Sequence, residues 1–204
     1  MLLSHNRIST IAQNYNSKGH LLNWYGKEDN IPLVRPGIWE ICRGVVQLSK
    51  IDIQGNEVML GWAVADTAFS VSLASLQVYQ AKALCDTYLR YFSLADLYSS
   101  PRLSLQLWKQ MNRRLQQTET LLAISGIRRI EERLQQLLSL LKQELGQPVD
   151  LGTRLCIRLT HQYLANTIGS SRVTITRLLG DFQRRGWIVV DQDRHLIIPH
   201  ASCL

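Results

Sequence analysis

The sequence predicts an α+β protein in three parts: an antiparallel barrel or jelly roll, one long helix, and a helix-turn-helix backed by a β-hairpin. Three observations carry this. Residues 30–98 alternate short apolar runs with glycines. The chain from Pro101 to Ser125 contains no further Pro and no Gly. Between Thr160 and Trp187, helix caps, a glycine and two apolar faces fall at the spacing of two short helices. With 204 residues, of which 46% are hydrophobic and 19% charged, the chain can bury the cores these parts need.

In the front part, Gly37, Gly44, Gly55 and Gly61 punctuate the runs Ile38–Cys42, Val45–Ile51 and Glu57–Val64. Gly and Asn tolerate positive φ, so Asp52-Ile53-Gln54-Gly55-Asn56 predicts a hairpin turn. The first 25 residues are weakly patterned and suggest at most a short helix.

Pro101 suits the first turn of the long helix. Within it Trp108, Met111, Leu115, Thr118 and Leu122 recur at steps of three and four, the seam by which one helix packs along a partner helix. A helix lying on its own domain is the alternative, since Leu103, Leu105, Leu107 and Leu121 widen the stripe. Gly126 breaks the chain. A second helix is expected over 127–144, with Leu134, Leu137, Leu138 and Leu141 on one face, ended by Gly146 and Pro148. These breaks predict three units: 1–98, 99–126 and 127–204.

Thr160 can cap a helix that buries Leu164, Ala165 and Ile168; Gly169 permits a tight turn, and Ser170 or Ser171 can cap the next helix. At ~100° per residue, Ile175, Leu178, Leu179 and Phe182 share one side of that second helix. The opposite side carries Val173, Thr176, Arg177, Gly180 and Arg184, with Ser171 and Arg172 at its N-terminal end. A helix in a DNA major groove uses such a face: Arg reads guanine O6 and N7, and Val or a Thr methyl touches the thymine methyl. Gly180 would let the backbone approach a phosphate. Two β-branched runs, Trp187–Val190 and His195–Ile198, form the expected wing, with Arg194 at its tip either on a phosphate or solvated. His161 likewise either contacts phosphate or stays a half-exposed surface residue.

Charge agrees with this division. Residues 1–98 hold eight basic and eight acidic side chains, whereas residues 99–204 hold 15 basic and eight acidic ones, so 15 less eight accounts for the whole net +7. Thirteen of those 15 are Arg, whose planar fork suits phosphate and guanine. No apolar run approaches the ~20 residues of a membrane helix, and the first twenty residues show no secretory signal, so a cytoplasmic location is expected. Cys42, Cys85, Cys156 and Cys203 match no metal or redox spacing. No Ser-His-Asp elbow, His-Glu-x-x-His, P-loop or Gly-x-Gly-x-x-Gly is present, so no catalytic residue is assigned and an enzyme is not expected. A protein-interaction module that keeps the motif without using it on DNA is the alternative class.

Over Leu159-Thr160-His161-Gln162 and Ile168 through Asp181 the chain resembles the Crp/Fnr family of bacterial transcription regulators, in particular its cyanobacterial global nitrogen regulator branch. The resemblance implies a cyclic-nucleotide-binding-type β-roll at Gly37–Leu73, a dimerisation helix at Pro101–Ser125 and a winged helix-turn-helix. It places base reading on Arg172, Val173 and Arg177, with Thr176 nearby; Ser170, Ser171, Thr174, Gly180, Arg184, His161 and Arg194 complete the DNA-facing set. Members that read TGTGA carry Glu where this chain has Val173, whereas the nitrogen-regulator branch, with Arg-Val there, reads GTA-type half-sites. The implied partners are a palindromic duplex of GTA…TAC type, a second copy of the chain and RNA polymerase, with no membrane.

Two family cofactors do not fit the residues. The Gly-Glu pair that holds a cyclic nucleotide is replaced by Phe69-Ser70-Val71-Ser72, and no Arg lies between Lys50 and Arg90. An iron–sulfur cluster would need an N-terminal cysteine group, and His5 or His20 alone cannot support haem. For the roll three readings stay open: an uncharged or dicarboxylate metabolite, no effector, or a protein-docking surface. No metal is expected.

Overall fold

A computed structural model describes residues 21–33, 36–55, 57–70 and 79–200. The glycine-separated runs form β1 (Leu22–Tyr25), β2 (Gly37–Arg43), β3 (Val45–Ile51), β4 (Glu57–Val64), β5 (Ala68–Phe69), β6 (Tyr79–Ala83) and β7 (Thr87–Ser93). They make two antiparallel sheets, ordered β1-β7-β2-β5 and β4-β3-β6. Alternation along each strand sends Trp39, Ile41, Leu89 and Phe69 from one sheet against Val46, Leu48, Ala63 and Ala81 from the other. At the expected β3–β4 turn, Gly55 takes φ +86° and donates its N–H to the Asp52 carbonyl at 3.1 Å; Asn56 lies outside the described residues. So do Val71, Ser72, His5, His20 and Cys203.

Where the sequence suggested at most a short helix, Leu22–Tyr25 is instead an edge strand on β7, with Trp24 opposite Tyr88. Its partner lies more than sixty residues away, so local pattern carried no sign of it.

A short helix α1 (Leu94–Ser99) is closed at its start by a Ser93–Asp96 capping box. Then α2 (Pro101–Ser125) runs with Pro at its first turn and Ser100 as cap, bounds that match the expectation. Its buried side sits on the roll: Leu107 packs with Ile38, Ala68 and Phe92, and Met111 joins them. Thr118 also turns inward, its hydroxyl donating to the Leu60 carbonyl at 3.1 Å. Two of the five seam residues are therefore engaged within the chain. The other three lie open along α2 at heptad spacing, Trp108 (64% exposed), Leu115 (55%) and Leu122 (72%), and Leu105 extends them. One flank of the helix thus lies on its own domain, and the other is open.

The next helix, α3 (Ile130–Leu145), starts three residues later than the apolar pattern suggested. The Arg133 guanidinium donates to the Ile127 carbonyl, and residues 127–129 stay outside the helix. Its end falls at Gly146, as the sequence suggested, but a strand follows directly. Gly146 closes the helix but opens strand β8 (Gly146–Val149), which pairs with β9 (Gly152–Leu155) as Pro148 opposite Thr153. Pro148 is tolerated because β8 is an edge strand and needs no donor there. After α4 (His161–Ile168) and α5 (Arg172–Arg184) come β10 (Val189–Val190) and β11 (Leu196–Pro199). The wing is thus part of a four-stranded sheet, β10-β11-β9-β8.

Candidate nucleic-acid interface

The two short helices are assembled from local chemistry. Thr160 caps α4 by accepting the Tyr163 N–H at 3.0 Å. Gly169 ends α4 in the left-handed region, at φ +63° and ψ +52°, which only Gly enters without steric cost. Ser171 then caps α5, accepting the Thr174 N–H at 3.1 Å, while its hydroxyl and that of Thr174 lie 2.9 Å apart. Ile175, Leu178, Leu179 and Phe182 are all buried beneath α5, in one core with Leu164, Ala165 and Ile168 of α4. At roughly 1.5–3 kcal/mol for each large apolar side chain buried, this core fixes which face of α5 looks outward.

That outward face holds Val173, 79% exposed, between Arg172 and Thr176, with Arg177 and Arg184 further along. Gly180 is half-exposed, and a Cβ there would meet nothing within 4 Å among the described residues, so the backbone lies open to a ligand. Two refinements concern the side chains. Arg177 and Arg184 both lean on Asp181, the former at 3.5 Å, which extends them along the helix surface. His161 is not free on the surface: its Nδ1 lies 2.7 Å from the Thr176 hydroxyl, which itself donates to the Arg172 carbonyl. His161 therefore ties α4 to α5. Ser170, half-exposed in the turn, donates its N–H to the Ala165 carbonyl.

At the wing tip Arg194 is exposed with φ +63°. The turn is closed by Asp191, which accepts from Arg154 Nε at 2.6 Å and from the His195 N–H at 2.7 Å; both partners lower its pKa. Between the wing tip and the N-terminal ends of α4 and α5 lies an open groove of ≈ 770 Å³, lined by Arg158, Thr160, His161, Arg172 and Arg194. Arg158 was missed from the sequence. Its only signal was its place two residues before the Thr160 cap, in a loop with no periodicity to read.

Elsewhere, Phe69 is buried between the two sheets of the roll, and the Ser70 hydroxyl donates to the Gly37 carbonyl at 2.7 Å. Cys42 is exposed, and Cys85 and Cys156 are half-buried. Among the described residues no helix is long and apolar enough to cross a membrane.

A β-roll, a long helix with an open apolar flank, and a capped helix-turn-helix presenting an arginine face together define a transcription-regulator architecture. The chain matches the Crp-like helix-turn-helix domain family over residues 132–204. It is 33% identical over 183 residues to the regulatory protein CysR of Synechococcus elongatus, covering 88% of this chain and 84% of that one. To the global nitrogen regulator of Synechocystis sp. it is 30% identical over 166 residues, covering 77% and 74%. FixK2 from Bradyrhizobium japonicum shares the fold, with a TM-score of 0.72 over 88% of this chain and 92% of that one at 16% identity. The chain belongs to the Crp/Fnr family of transcription regulators.

Proposed function

We propose that a homodimer of this chain reads a palindromic duplex with GTA…TAC-like half-sites, one α5 in each of two successive major grooves. The carrying observation is the outward face of α5: an apolar Val173 at 79% exposure flanked by Arg172 and Arg177. A solvated helix gains nothing from exposing Val173 there, whereas a thymine methyl would cover it. In this reading Arg172, Val173 and Arg177 contact base edges, with Thr176 beside them. Ser170, Ser171, Thr174, Gly180, Arg184 and Arg194 hold the phosphates, joined by Arg158, and His161 orients Thr176. Trp108, Leu115 and Leu122 meet their counterparts across the two-fold axis, and the units 1–98, 99–126 and 127–204 act as roll, dimer helix and reader. Bound beside a promoter, such a dimer would meet RNA polymerase. Selection from random duplexes tests the reading: a GTA…TAC palindrome supports it, and a TGTGA palindrome, or none, defeats it. Binding must also weaken steeply with salt, as counterions leave the phosphates.

A second reading, that the regulator answers to an anionic metabolite such as 2-oxoglutarate, is favoured by Arg114. Its guanidinium is buried where α2 meets β4, bonded to Gln117 Oε1 at 2.8 Å and near the Leu60 carbonyl, while its Nε has no hydrogen-bond partner among the described residues. Burial lowers its pKa, and the neighbouring Tyr79 offsets this. A buried cation with an unused donor is what a carboxylate would seek. Thermal unfolding with 2-oxoglutarate and with cyclic nucleotides distinguishes ligands, since a bound one raises the midpoint.

A further inference from the structure

Trp62 joins three parts of the molecule. It lies on β4, is fully buried, and sits in the same hydrophobic cluster as the cores of α3, α4 and α5. Its backbone N–H donates to Gln117 Oε1 on α2 at 2.7 Å. That approach is possible because residue 61 is a glycine: a Cβ there would stand 2.3 Å from the same Gln117 oxygen. On the other side, the Trp62 indole N–H donates to the Tyr163 hydroxyl on α4 at 2.5 Å. The phenol in turn donates to the Met59 sulfur at 3.9 Å. Among the described residues, the polar side-chain contacts from the roll strands to α4 are these two, both made by Tyr163. Burial pushes its phenol up, so it stays neutral and holds this pattern at any ordinary pH.

We propose that the Trp62–Tyr163 hydrogen bond is a positioning contact that fixes the angle between α5 and α2, and thereby the half-site spacing the dimer accepts. The inference rests on the two-fold reading above and extends it from which bases are read to how far apart. α2 carries the open apolar flank on one side and Gln117 on the other. α4 moves with α5, because they share a core and are joined by the His161–Thr176 contact. The orientation of each reading helix relative to the two-fold axis is then set where α4 meets the roll, together with the packing of α3 on α2, where Arg113 pairs with Glu144 at 3.4 Å. Changing the spacer by one base pair moves the second half-site by about 3.4 Å and turns it by about 34°, so a stiffly held pair of helices accepts one spacing and a loosened pair accepts its neighbours.

The test compares the full-length wild type with Tyr163→Phe on three duplexes: the spacing that selection returns for the wild type, and spacers one base pair longer and shorter. The wild type should prefer its own spacing by about tenfold or more, the size of a mismatched contact. In Tyr163→Phe that preference should fall below about threefold, while preferences among bases within a half-site stay unchanged, because the α5 face is untouched. Trp62→Phe removes the donor instead of the acceptor and should relax spacing in the same way, which covers the case of one variant unfolding. A general loss of stability would lower affinity for all three duplexes together and leave their ratios as they were. A wild type without a preferred spacing overturns the two-fold reading and this inference together. A wild type with one, and a folded variant that keeps it, overturns this inference alone.

Discussion

The outward face of α5 and the buried underside of the roll use polar chemistry in opposite ways. On α5 the arginines lie at the surface and the one large apolar side chain among them, Val173, is exposed. In the roll, charged and polar groups are buried and joined to one another. Glu40 is buried on β2; it takes Arg90 at 3.2 Å through one oxygen and the amides of Gln106 and Gln110, each at 2.9 Å, through the other. The first arrangement keeps its binding capacity for a partner outside the chain. The second spends its capacity internally, fastening α2 to the roll. In the proposed reading, exposed chemistry meets the duplex and buried chemistry holds the site in place.

The largest expected effect attacks the buried side. Glu40→Ala leaves Arg90, Gln106 and Gln110 without their shared acceptor, and removing one partner of a buried ion pair costs about 3–5 kcal/mol. Denaturant unfolding should show that loss. A change within 0.5 kcal/mol, the range of ordinary surface substitutions, would mean that the network contributes little to the fold.

The two faces of α5 differ in the same way. Phe182→Ala empties a fully buried site, with an expected cost of about 3–5 kcal/mol. Val173→Ala, on the open face, should move stability by under about 0.5 kcal/mol and yet weaken preference at one thymine position. Equal stability losses in the two variants would show that Val173 packs against something in the free protein.

These faces differ in how well the sequence displayed them. The reader could be resolved from angles along one helix, because its caps, its turn glycine and its buried side all lie within 160–187. Ile175, Leu178, Leu179 and Phe182 are buried as the angles require. The roll's polar junctions could not be seen in this way. Glu40 and Gln106 are 66 positions apart and Trp62 and Tyr163 are 101 apart, so no periodicity joins them. The β8–β9 hairpin escaped for another reason: Gly146 and Pro148 are helix-stop residues, and the same residues also suit the edge strand that they form. Along α2 the apolar repeat marked the helix, but it could not tell which flank the roll had already taken, and Met111 and Thr118 went inward.

Within the exposed face, Arg177→Ala should cost on the order of 1–3 kcal/mol at a single base position and little elsewhere. Competition binding against duplexes substituted one base at a time measures this. Uniform weakening across all sequences would reassign Arg177 to a phosphate. Because Arg177 also leans on Asp181, Asp181→Asn makes a useful companion: it frees the guanidinium without removing it.

The smallest effect concerns the wing, where a surface ion pair has a structural task. Asp191 is held below the usual carboxylate range by its hydrogen bond from Arg154, assisted by the His195 N–H. A group whose folded pKa is depressed adds stability that is fully present above its unfolded value, ~3.9 for Asp, and that disappears as pH falls through the folded value. The wing should therefore be indifferent to pH from neutrality down to about 5 and loosen only in more acidic solution. Exchange of the His195 amide hydrogen, which Asp191 accepts, reports on this directly. Asp191→Asn should remove the acid-side dependence while speeding that exchange at neutral pH. A His195 amide that exchanges at the same rate in both proteins would show that Arg194 is presented by the β-strands of the wing alone, without help from the carboxylate beneath it.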